Sequence, residues 1–508
     1  MNSESSNDCE WKNKTETINQ LSMRFSIQTI LTAIVLSLLG ASKAFSQPKN
    51  VIFILADDHR YDYMGFHPNS PDFLETPAMD RMAEEGAHFA NAFVSTSLCS
   101  PSRASILTGQ YPFRHGVVDN NNVMPEGVPL FSEALQDAGY QTGYFGKWHI
   151  GHDHDNPKPG FDRWVSFRGQ GVYYNPTLNV DGEREEPEGY ITDLMTDYTL
   201  DWLDEIDRDQ PFFAYLSHKA VHAEFEPAKR HEGMYSDAHI VKPQSMKNID
   251  QNYEGKPDWV YEQRFSWHGV EHMYHGRDDH PQSLDEIIVR YSESLMAVDE
   301  SIERVLNYLE ENDLADETLV IYMGDNGFML GEHGLIDKRQ AYEESMRVPM
   351  LAWAPDYIEP GRVIEENVMN IDITPTILAL AGGSMPQNHT VDGQSFMPLL
   401  AGETVDNWRD EFVYQYFWEN SFPHTPTTYA IRDARYKYIY YHGLWDKNEL
   451  YDLQTDPFEM VNLVDMPEHQ DRVNRMRNRM FDIFEENGAT DVKFRRPSAG
   501  QQDERKRY

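Results

Sequence analysis

Three unbroken apolar stretches limit what this chain can fold into. They run from Asn50 to Ala56, from Pro211 to Ser217 and from Thr318 to Met323. A strand that is apolar at every position is buried on both faces, which is typical of a parallel sheet covered by helices. A long amphipathic helix, predicted from Leu284 to Leu309, lies between the second and third stretches. The pattern predicts an α/β fold with a mixed, largely parallel sheet between helices.

Polar side chains follow two of these stretches. Asp57 and Asp58 come directly after the first, and Asp325 and Asn326 follow the third. Open α/β sheets bind ligands at the carboxyl ends of their strands, and adjacent carboxylates repel each other unless a cation lies between them. Oxygen ligands without clustered Cys and His favour Ca²⁺ or Mg²⁺ over zinc. The alternative interpretation of Asp57 and Asp58 is a solvated turn.

Cys99 has no disulfide partner in the expected mature chain. The other cysteine, Cys9, lies in a polar N-terminal stretch that we expect to be removed. A short helix is predicted from Ser102 to Thr108, with Gly109 as its C-cap. A cysteine just before a helix lies where the helix dipole favours an anion, and Arg103 adds a positive charge. The alternative is a small buried hydrophobic residue in a turn.

Basic side chains follow other predicted strands. Lys147 and His149 are two residues apart, and such spacing in an extended segment puts both on the same side. His218 and His222 follow the second apolar stretch, and Lys338 lies beyond Asn326. Basic groups around a divalent cation form a site for the ester of a tetrahedral oxyanion. The alternative for the Lys–His pair is a surface loop.

The charge of the chain restricts its partners. It has 44 Lys and Arg against 84 Asp and Glu, a net charge of −40. Such a charge argues against binding to nucleic acid and against docking on anionic membranes. An anion site must therefore be a local positive pocket in a negative surface.

The N-terminal residues resemble a secretory signal peptide of about residues 23–46. Arg24 precedes an apolar run from Ile27 to Leu39, and Ala44-Phe45-Ser46 has the small-x-small pattern of a cleavage site. The run is too short to span a membrane. We expect export to the periplasm or beyond, a mature chain from about Gln47, and either Met1 or Met23 as the start.

The domain prediction has three parts. Residues 1–46 form the N-terminal extension and signal peptide. Residues 47–404 form the main domain, with an aromatic-rich insertion at about 226–280. Residues 405–508 form a smaller α+β subdomain and tail, because aromatic strands such as Tyr436 to Tyr441 precede a helix from Pro467 to Glu486.

Together these motifs resemble the type I, formylglycine-dependent sulfatases. The segment from Cys99 to Arg103 matches the family's C-x-P-x-R signature, and Gly146 to His149 matches its second signature. The remaining matches, in order along the chain, are Asp57-Asp58, His222, Asp325-Asn326, Lys338 and the C-terminal segment Leu450 to Pro457. The resemblance covers about residues 48–465 and implies an alkaline-phosphatase-like fold.

The resemblance also implies a modified residue. Cys99 would be oxidised to formylglycine by a formylglycine-generating or anaerobic sulfatase-maturing enzyme that reads the Cys–Pro–Arg spacing. One hydroxyl of the hydrated aldehyde would attack sulfur, and loss of a proton from the other would expel sulfate. A serine ester could not eliminate in this way and would have to wait for water.

Roles for the other residues follow from the same resemblance. Ca²⁺ would be held by residue 99 together with Asp57, Asp58, Asp325 and Asn326. Arg103 would stabilise the hydrate, Lys147 and Lys338 would bind sulfate, His149 would be the base, and His222, helped by Lys338, the acid. His222 fits better than His218, although Ala223 and Glu224 stand where a proline often follows. Weaker candidates for substrate contact are His115, His152, Arg163, Trp164, His218 and Arg339.

The predicted function is removal of O-sulfate from a sulfated carbohydrate, a polysaccharide or its oligosaccharides. Export, the aromatic insertion and an acidic surface suited to saline surroundings favour an algal polymer such as ulvan. One alternative is a phosphoesterase of the alkaline phosphatase superfamily, but such enzymes use Ser or Thr with a zinc pair. The other alternative is a non-catalytic saccharide-binding protein, which would be expected to have lost one of the matched positions.

Overall fold

The computed structural model describes residues 47–151, 154–267, 269–274, 278–419, 422–443 and 446–491. The predicted signal peptide lies outside these ranges. The strands are β1 Asn50–Ala56, β2 Ala87–Phe89, β3 Ala92–Phe93, β4 Gln141–Lys147, β5 Arg163–Phe167, β6 Leu178–Val180, β7 Glu183–Glu185, β8 Phe212–Ser217, β9 Thr318–Gly324, β10 Met329–Leu330, β11 Ile336–Asp337, β12 Met350–Trp353, β13 Arg362–Ile364, β14 Val368–Met369, β15 Glu411–Tyr416, β16 Thr428–Asp433, β17 Tyr436–Tyr441 and β18 Glu449–Asp452. The helices are α1 Pro77–Glu85, α2 Cys99–Thr108, α3 Pro112–His115, α4 Phe131–Asp137, α5 Ile191–Glu205, α6 Asp258–Gln263, α7 Leu284–Glu311, α8 Glu343–Met346, α9 Ile373–Ala381, α10 Met397–Leu400 and α11 Gln470–Glu486.

Ten of the described strands form one mixed sheet in the order β13-β2-β12-β9-β1-β8-β4-β5-β6-β7. Its central strands β9, β1, β8, β4 and β5 run parallel, with Ile54 of β1 between Leu216 of β8 and Tyr322 of β9. The other strands add antiparallel pairs on both sides, such as β12 with β9. The predicted largely parallel sheet is therefore confirmed.

Helices cover both faces of this sheet because the residues of β1 from Val51 to Ala56 are all apolar. Ile52 and Ile54 join the core that contains helices α5 and α7. Val51, Phe53 and Leu55 join the opposite core, with α2, α4 and α9. Alternate side chains of a strand point to opposite faces, so full burial of all seven residues of β1 requires a helical layer on each side.

A four-stranded antiparallel sheet, β15-β16-β17-β18, follows in the C-terminal part. Helix α11 packs on it through Val473, Met476, Met480 and Phe484, which are buried in the same cluster as Ile431. The predicted α+β character of this region, a small antiparallel sheet with one helix, is confirmed.

The aromatic segment at 226–280 mostly turns its rings inward. Trp259, Trp267 and Tyr274 are buried, whereas Tyr261 is half exposed. The segment is anchored to other parts of the chain, since the Phe265 amide donates to the Gly334 carbonyl at 2.6 Å. These buried rings pack against protein and do not offer faces to a carbohydrate.

Candidate active site

The carboxyl ends of the central parallel strands bring the predicted residues to one edge. Asp57 follows β1, Asp325 follows β9 and Lys147 ends β4. The Asp325 amide donates to the Ala56 carbonyl at 2.9 Å, and the Asp57 amide to the Ala220 carbonyl at 2.9 Å. The loops that continue the parallel strands are thus tied together by main-chain hydrogen bonds.

Three carboxylates and Cys99 form a buried cluster at this edge. Ligand atoms of Asp57, Asp58, Asp325 and Cys99 all lie within 4.8 Å of one another. Burial and the neighbouring carboxylate of Asp57 raise the pKa of Asp325 to about 7. Burial raises the pKa of Asp58 as well. Burial is the main cause of both shifts, and a bound cation would stabilise the ionised form of these carboxylates.

Asn326 provides a second sign of a cation site. Its Nδ2 donates to Asp58 Oδ1 at 2.6 Å and to the Gly327 carbonyl at 2.9 Å. Its Oδ1 is buried and has no hydrogen-bond partner among the described residues. A buried amide oxygen without a donor is unfavourable, and a metal ion would satisfy it. The four oxygen-bearing residues therefore fit a hard divalent cation.

Three basic side chains balance the three carboxylates. Lys147 pairs with Asp57, and Arg103 Nε lies 2.9 Å from Asp325 Oδ2. Lys338 pairs with Asp58, and its Nζ is 2.9 Å from Cys99 Sγ. The formal charges of these six groups cancel, so a divalent cation would give the site a surplus of two positive charges.

Cys99 is the first residue of α2 rather than a residue before the helix. The prediction that the helix starts at Ser102 is wrong, because the Ser102 amide already donates to the Leu98 carbonyl. The predicted C-cap is confirmed, since Gly109 is left-handed with a φ of 67°. Burial and the nearby Asp57 carboxylate raise the pKa of the Cys99 thiol to about 12. An unmodified thiol here is therefore protonated at neutral pH and a poor nucleophile.

Two of the predicted histidines, His222 and His149, lie at this edge and make different contacts. His222 Nε2 is 3.8 Å from Asp58 Oδ2, and its Nδ1 is 2.5 Å from the Ala223 carbonyl oxygen. His149 is buried, and its carbonyl accepts a hydrogen bond from Ser100 Oγ. The extended-chain argument for Lys147 and His149 is wrong, because β4 ends at Lys147 and His149 has a φ of 43°.

The weaker candidates contact other protein groups. His218 Nε2 lies 3.1 Å from Ser301 Oγ of α7, and burial lowers its pKa to about 3. His115 Nε2 lies 3.1 Å from Ser105 Oγ. Arg339 pairs with Asp337 and Glu419, Arg163 pairs with Asp181, and the Trp164 ring stacks on Tyr144. His152 lies outside the described residues.

Sequence reasoning missed three side chains that surround these groups. Gln170 Oε1 accepts a hydrogen bond from Lys147 Nζ at 2.5 Å. Lys219 Nζ is buried and lies 4.6 Å from the centre of the Tyr173 ring. The Tyr173 hydroxyl donates to the His222 carbonyl at 2.6 Å, and the His222 amide donates to the Lys219 carbonyl at 3.0 Å. The sequence position of Lys219 between two histidines could have indicated that it lies near the site. No sequence pattern indicates the same for Gln170 or Tyr173.

This fold, with polar groups collected at the ends of its parallel strands, is that of an alkaline-phosphatase-like hydrolase. The Sulfatase family model matches residues 49–384, and the model of the C-terminal part of N-sulphoglucosamine sulphohydrolase matches residues 331–486. The chain therefore belongs to the sulfatase family and is a sulfuric ester hydrolase. Members of this family generally use formylglycine and a divalent metal ion.

Similar proteins agree with this assignment. An N-acetylglucosamine-6-O-sulfatase of Bacteroides thetaiotaomicron is 32% identical, over 83% of this chain and 83% of that protein. An N-acetylglucosamine-6-sulfatase of Capra hircus is 31% identical, over 74% of this chain and 68% of that protein. A protein solved in complex with its substrate D-glucosamine-2-N,6-O-disulfate superimposes with a TM-score of 0.79 and 30% identity, covering 88% of this chain and 99% of that one.

Among the residues that the structure describes, none of the helices combines the length and apolar character needed to cross a bilayer.

Proposed function

We propose that this sulfatase removes the 6-O-sulfate of a glucosamine or N-acetylglucosamine unit in a sulfated saccharide. The buried cluster of Asp57, Asp58, Asp325 and Cys99, surrounded by Lys147, Lys338 and Arg103, carries the proposal for the chemistry. The names and substrate of the similar proteins support the choice of sugar.

The proposal assigns Cys99 as the precursor of formylglycine, formed by a maturing enzyme, and Asp57, Asp58, Asp325 and Asn326 as ligands of one Ca²⁺. The unpartnered Asn326 Oδ1 and the all-oxygen donor set of these four residues support a hard cation. When bound, the ion supplies positive charge next to the ester, and formylglycine supplies a hydroxyl nucleophile.

Lys147 and Lys338 are the groups proposed to bind the sulfate oxygens. Each ammonium now neutralises a carboxylate, Asp57 or Asp58. With those carboxylates committed to an ion, both lysines can donate hydrogen bonds to the ester. Arg103 stays on Asp325, because its Nη1 also donates to the Lys147 carbonyl at 2.6 Å and to Ser217 Oγ at 2.7 Å.

His149 is proposed as the base and His222 as the acid that protonates the leaving alcohol. The contact of His222 Nδ1 with the Ala223 carbonyl fixes the ring, so the proton must leave from Nε2. Burial and Lys147 lower the pKa of His222 well below its ordinary value, which leaves Nε2 unprotonated in the resting protein. An anionic ester beside the ring favours the protonated form, and binding of substrate therefore prepares the acid.

Export is part of the proposal and rests on the N-terminal pattern of Arg24, Ile27 to Leu39 and Ala44 to Ser46. A mature chain that begins near Gln47, measured by intact mass, would support export. A mature chain that retains residues 24–46 would contradict it.

The substrate is tested by measuring free sulfate released from defined sugars by the matured, Ca²⁺-loaded enzyme. We expect N-acetylglucosamine-6-sulfate to react at least about tenfold faster than N-acetylglucosamine-3-sulfate or N-acetylgalactosamine-6-sulfate, because polar groups that bind one arrangement are left unpaired by another. Faster release from either competitor would contradict the proposed sugar. Ulvan oligosaccharides are included, and preferential release from them would favour an algal polymer instead.

Tyr173 holds the main chain of His222, so its hydroxyl should matter for turnover. We expect Tyr173→Phe to lower kcat by about fivefold with little change in KM, since a net hydrogen bond contributes about 1 kcal/mol. Tyr174→Phe is the matched control, because the Tyr174 hydroxyl donates to the Pro227 carbonyl at 3.0 Å instead. Equal effects of the two substitutions on kcat would argue against a role for Tyr173 in positioning His222.

A further inference from the structure

A second basic pocket lies next to the catalytic edge, at the end of β5. Its volume is about 570 Å³, and its lining includes Phe167, Arg168, Val172 and Arg184. None of these residues belongs to the proposed catalytic machinery. A pocket of this size exceeds what a single small ion needs and is within the range of small-molecule sites.

One lining residue of the pocket lies on the strand next to Lys147, the lysine proposed to bind sulfate. Phe167 is the register partner of Lys147 in the parallel pair of β5 and β4. Neighbouring strands lie about 4.8 Å apart, so the main chain of the lining residue Phe167 is that close to the main chain of Lys147. The intervening loop supplies Gln170 to Lys147 and Tyr173 to His222, and its Val172 lines the pocket. The loop that follows β5 therefore contacts the proposed catalytic residues and also lines the pocket.

The positive charge of Arg168 is only partly neutralised by the nearby Asp155 carboxylate. Both oxygens of the buried Asp155 accept hydrogen bonds from Arg184. Arg168 Nε is 3.6 Å from Asp155 Oδ1, beyond hydrogen-bond distance, and its side chain is 65% exposed. Two guanidinium groups thus share one carboxylate. This local surplus is unusual for a chain whose net charge is −40.

The remaining lining offers an apolar surface beside this charge. Gly171 has a φ of 68°, and a Cβ at this position would lie 2.4 Å from the Phe167 ring. Only glycine lets the loop turn this closely over Phe167. Val172 next to it is 49% exposed. An exposed apolar side chain beside a guanidinium suits a sugar that carries an acidic group.

We propose that this pocket binds a second anionic group of the substrate, a carboxylate or a sulfate, through Arg168. The group belongs to the sugar whose sulfate is removed or to its neighbour in the saccharide. The inference rests on the proposed function, and it makes the enzyme selective for saccharides with at least two negative charges.

The test compares Arg168→Gln with the unmodified sequence on three probes. The singly charged probe is N-acetylglucosamine-6-sulfate; the doubly charged probes are glucosamine-2-N,6-O-disulfate and a disaccharide of glucuronic acid and 6-sulfated N-acetylglucosamine. We expect Arg168→Gln to lower kcat/KM about tenfold for one or both doubly charged probes, through loss of a charged hydrogen bond, and to leave the singly charged probe unchanged. The probe that responds identifies the source of the anionic group.

Arg163→Gln is the matched control, because Arg163 lies at the opposite end of the same strand and pairs with Asp181 at 2.6 Å. Equal losses on all probes in Arg168→Gln, no loss on either doubly charged probe, or the same selectivity change in Arg163→Gln would overturn the inference. If the unmodified enzyme releases sulfate from none of the probes, the proposed function fails instead. In that case, the affinity of the Cys99→Ala variant for the doubly charged probes is measured with and without Arg168→Gln. Weaker binding in the presence of Arg168→Gln would support the pocket, and unchanged binding would overturn it.

Discussion

Replacing Cys99 with alanine is expected to lower the rate of sulfate release by at least about 10⁴-fold, the scale seen when a covalent nucleophile is removed. The fold should survive, because Lys338 keeps its pair with Asp58 and only the polar group on Cβ of residue 99 is lost. The expected change in unfolding free energy is about 1 kcal/mol. Free sulfate and the thermal unfolding temperature are the two measurements.

The Cys99→Ser variant distinguishes the contribution of a hydroxyl nucleophile from that of the aldehyde. Cys99→Ser offers a hydroxyl but cannot expel sulfate by re-forming a carbonyl, so we expect at most one sulfate transferred per chain. Intact mass should show residue 99 of the active enzyme without its thiol sulfur. Full multiple-turnover activity in Cys99→Ala, or in a chain that retains the thiol, would refute the mechanism.

Removal of the metal with a chelator is expected to abolish activity and to lower the unfolding temperature. Without an ion, the three buried carboxylates depend on Lys147, Lys338 and Arg103 alone. An ion present at 100 times its Kd stabilises the folded state by about 2.7 kcal/mol, and this contribution disappears with the ion. Calorimetry before and after dialysis against chelator, together with sulfate release, measures both effects.

The identity of the ion is tested by adding metals back. We expect Ca²⁺ or Mg²⁺ to restore activity and Zn²⁺ to fail, because the donors are oxygens. Asn326→Ala should make the unfolding temperature insensitive to added Ca²⁺. If the chelator changes neither the activity nor the unfolding temperature, a catalytic ion at this site is excluded.

The metal-binding candidates were predictable because their positions depend on strand ends. Each fully apolar strand had to lie inside the sheet, and the residues after parallel strands had to meet at one edge. Asp57 and Asp325 could therefore be brought together from the sequence, although 268 positions separate Asp58 from Asn326 in their hydrogen bond. The alternation of buried side chains in β1 likewise required helices on both faces.

Other contacts were not predictable because no local pattern encodes them. Gln170 meets Lys147 through a loop after β5, and its neighbours in sequence give no periodicity. His149 departs from the extended conformation after the end of β4, so spacing along an extended chain could not place its side chain. His218 and His222 differ through tertiary surroundings: Ser301 of α7 contacts the first, whereas Asp58 lies near the second.

The complete burial of Cys99 at the start of α2 has a consequence for biosynthesis. In the finished fold its sulfur touches Asp57 and Lys338 and is closed to any other protein. If Cys99 is converted to formylglycine as proposed, the maturing enzyme would have to reach this segment before the chain folds. On that proposal, we expect the active fraction to be set during synthesis and not to rise when the maturing enzyme is added to folded protein.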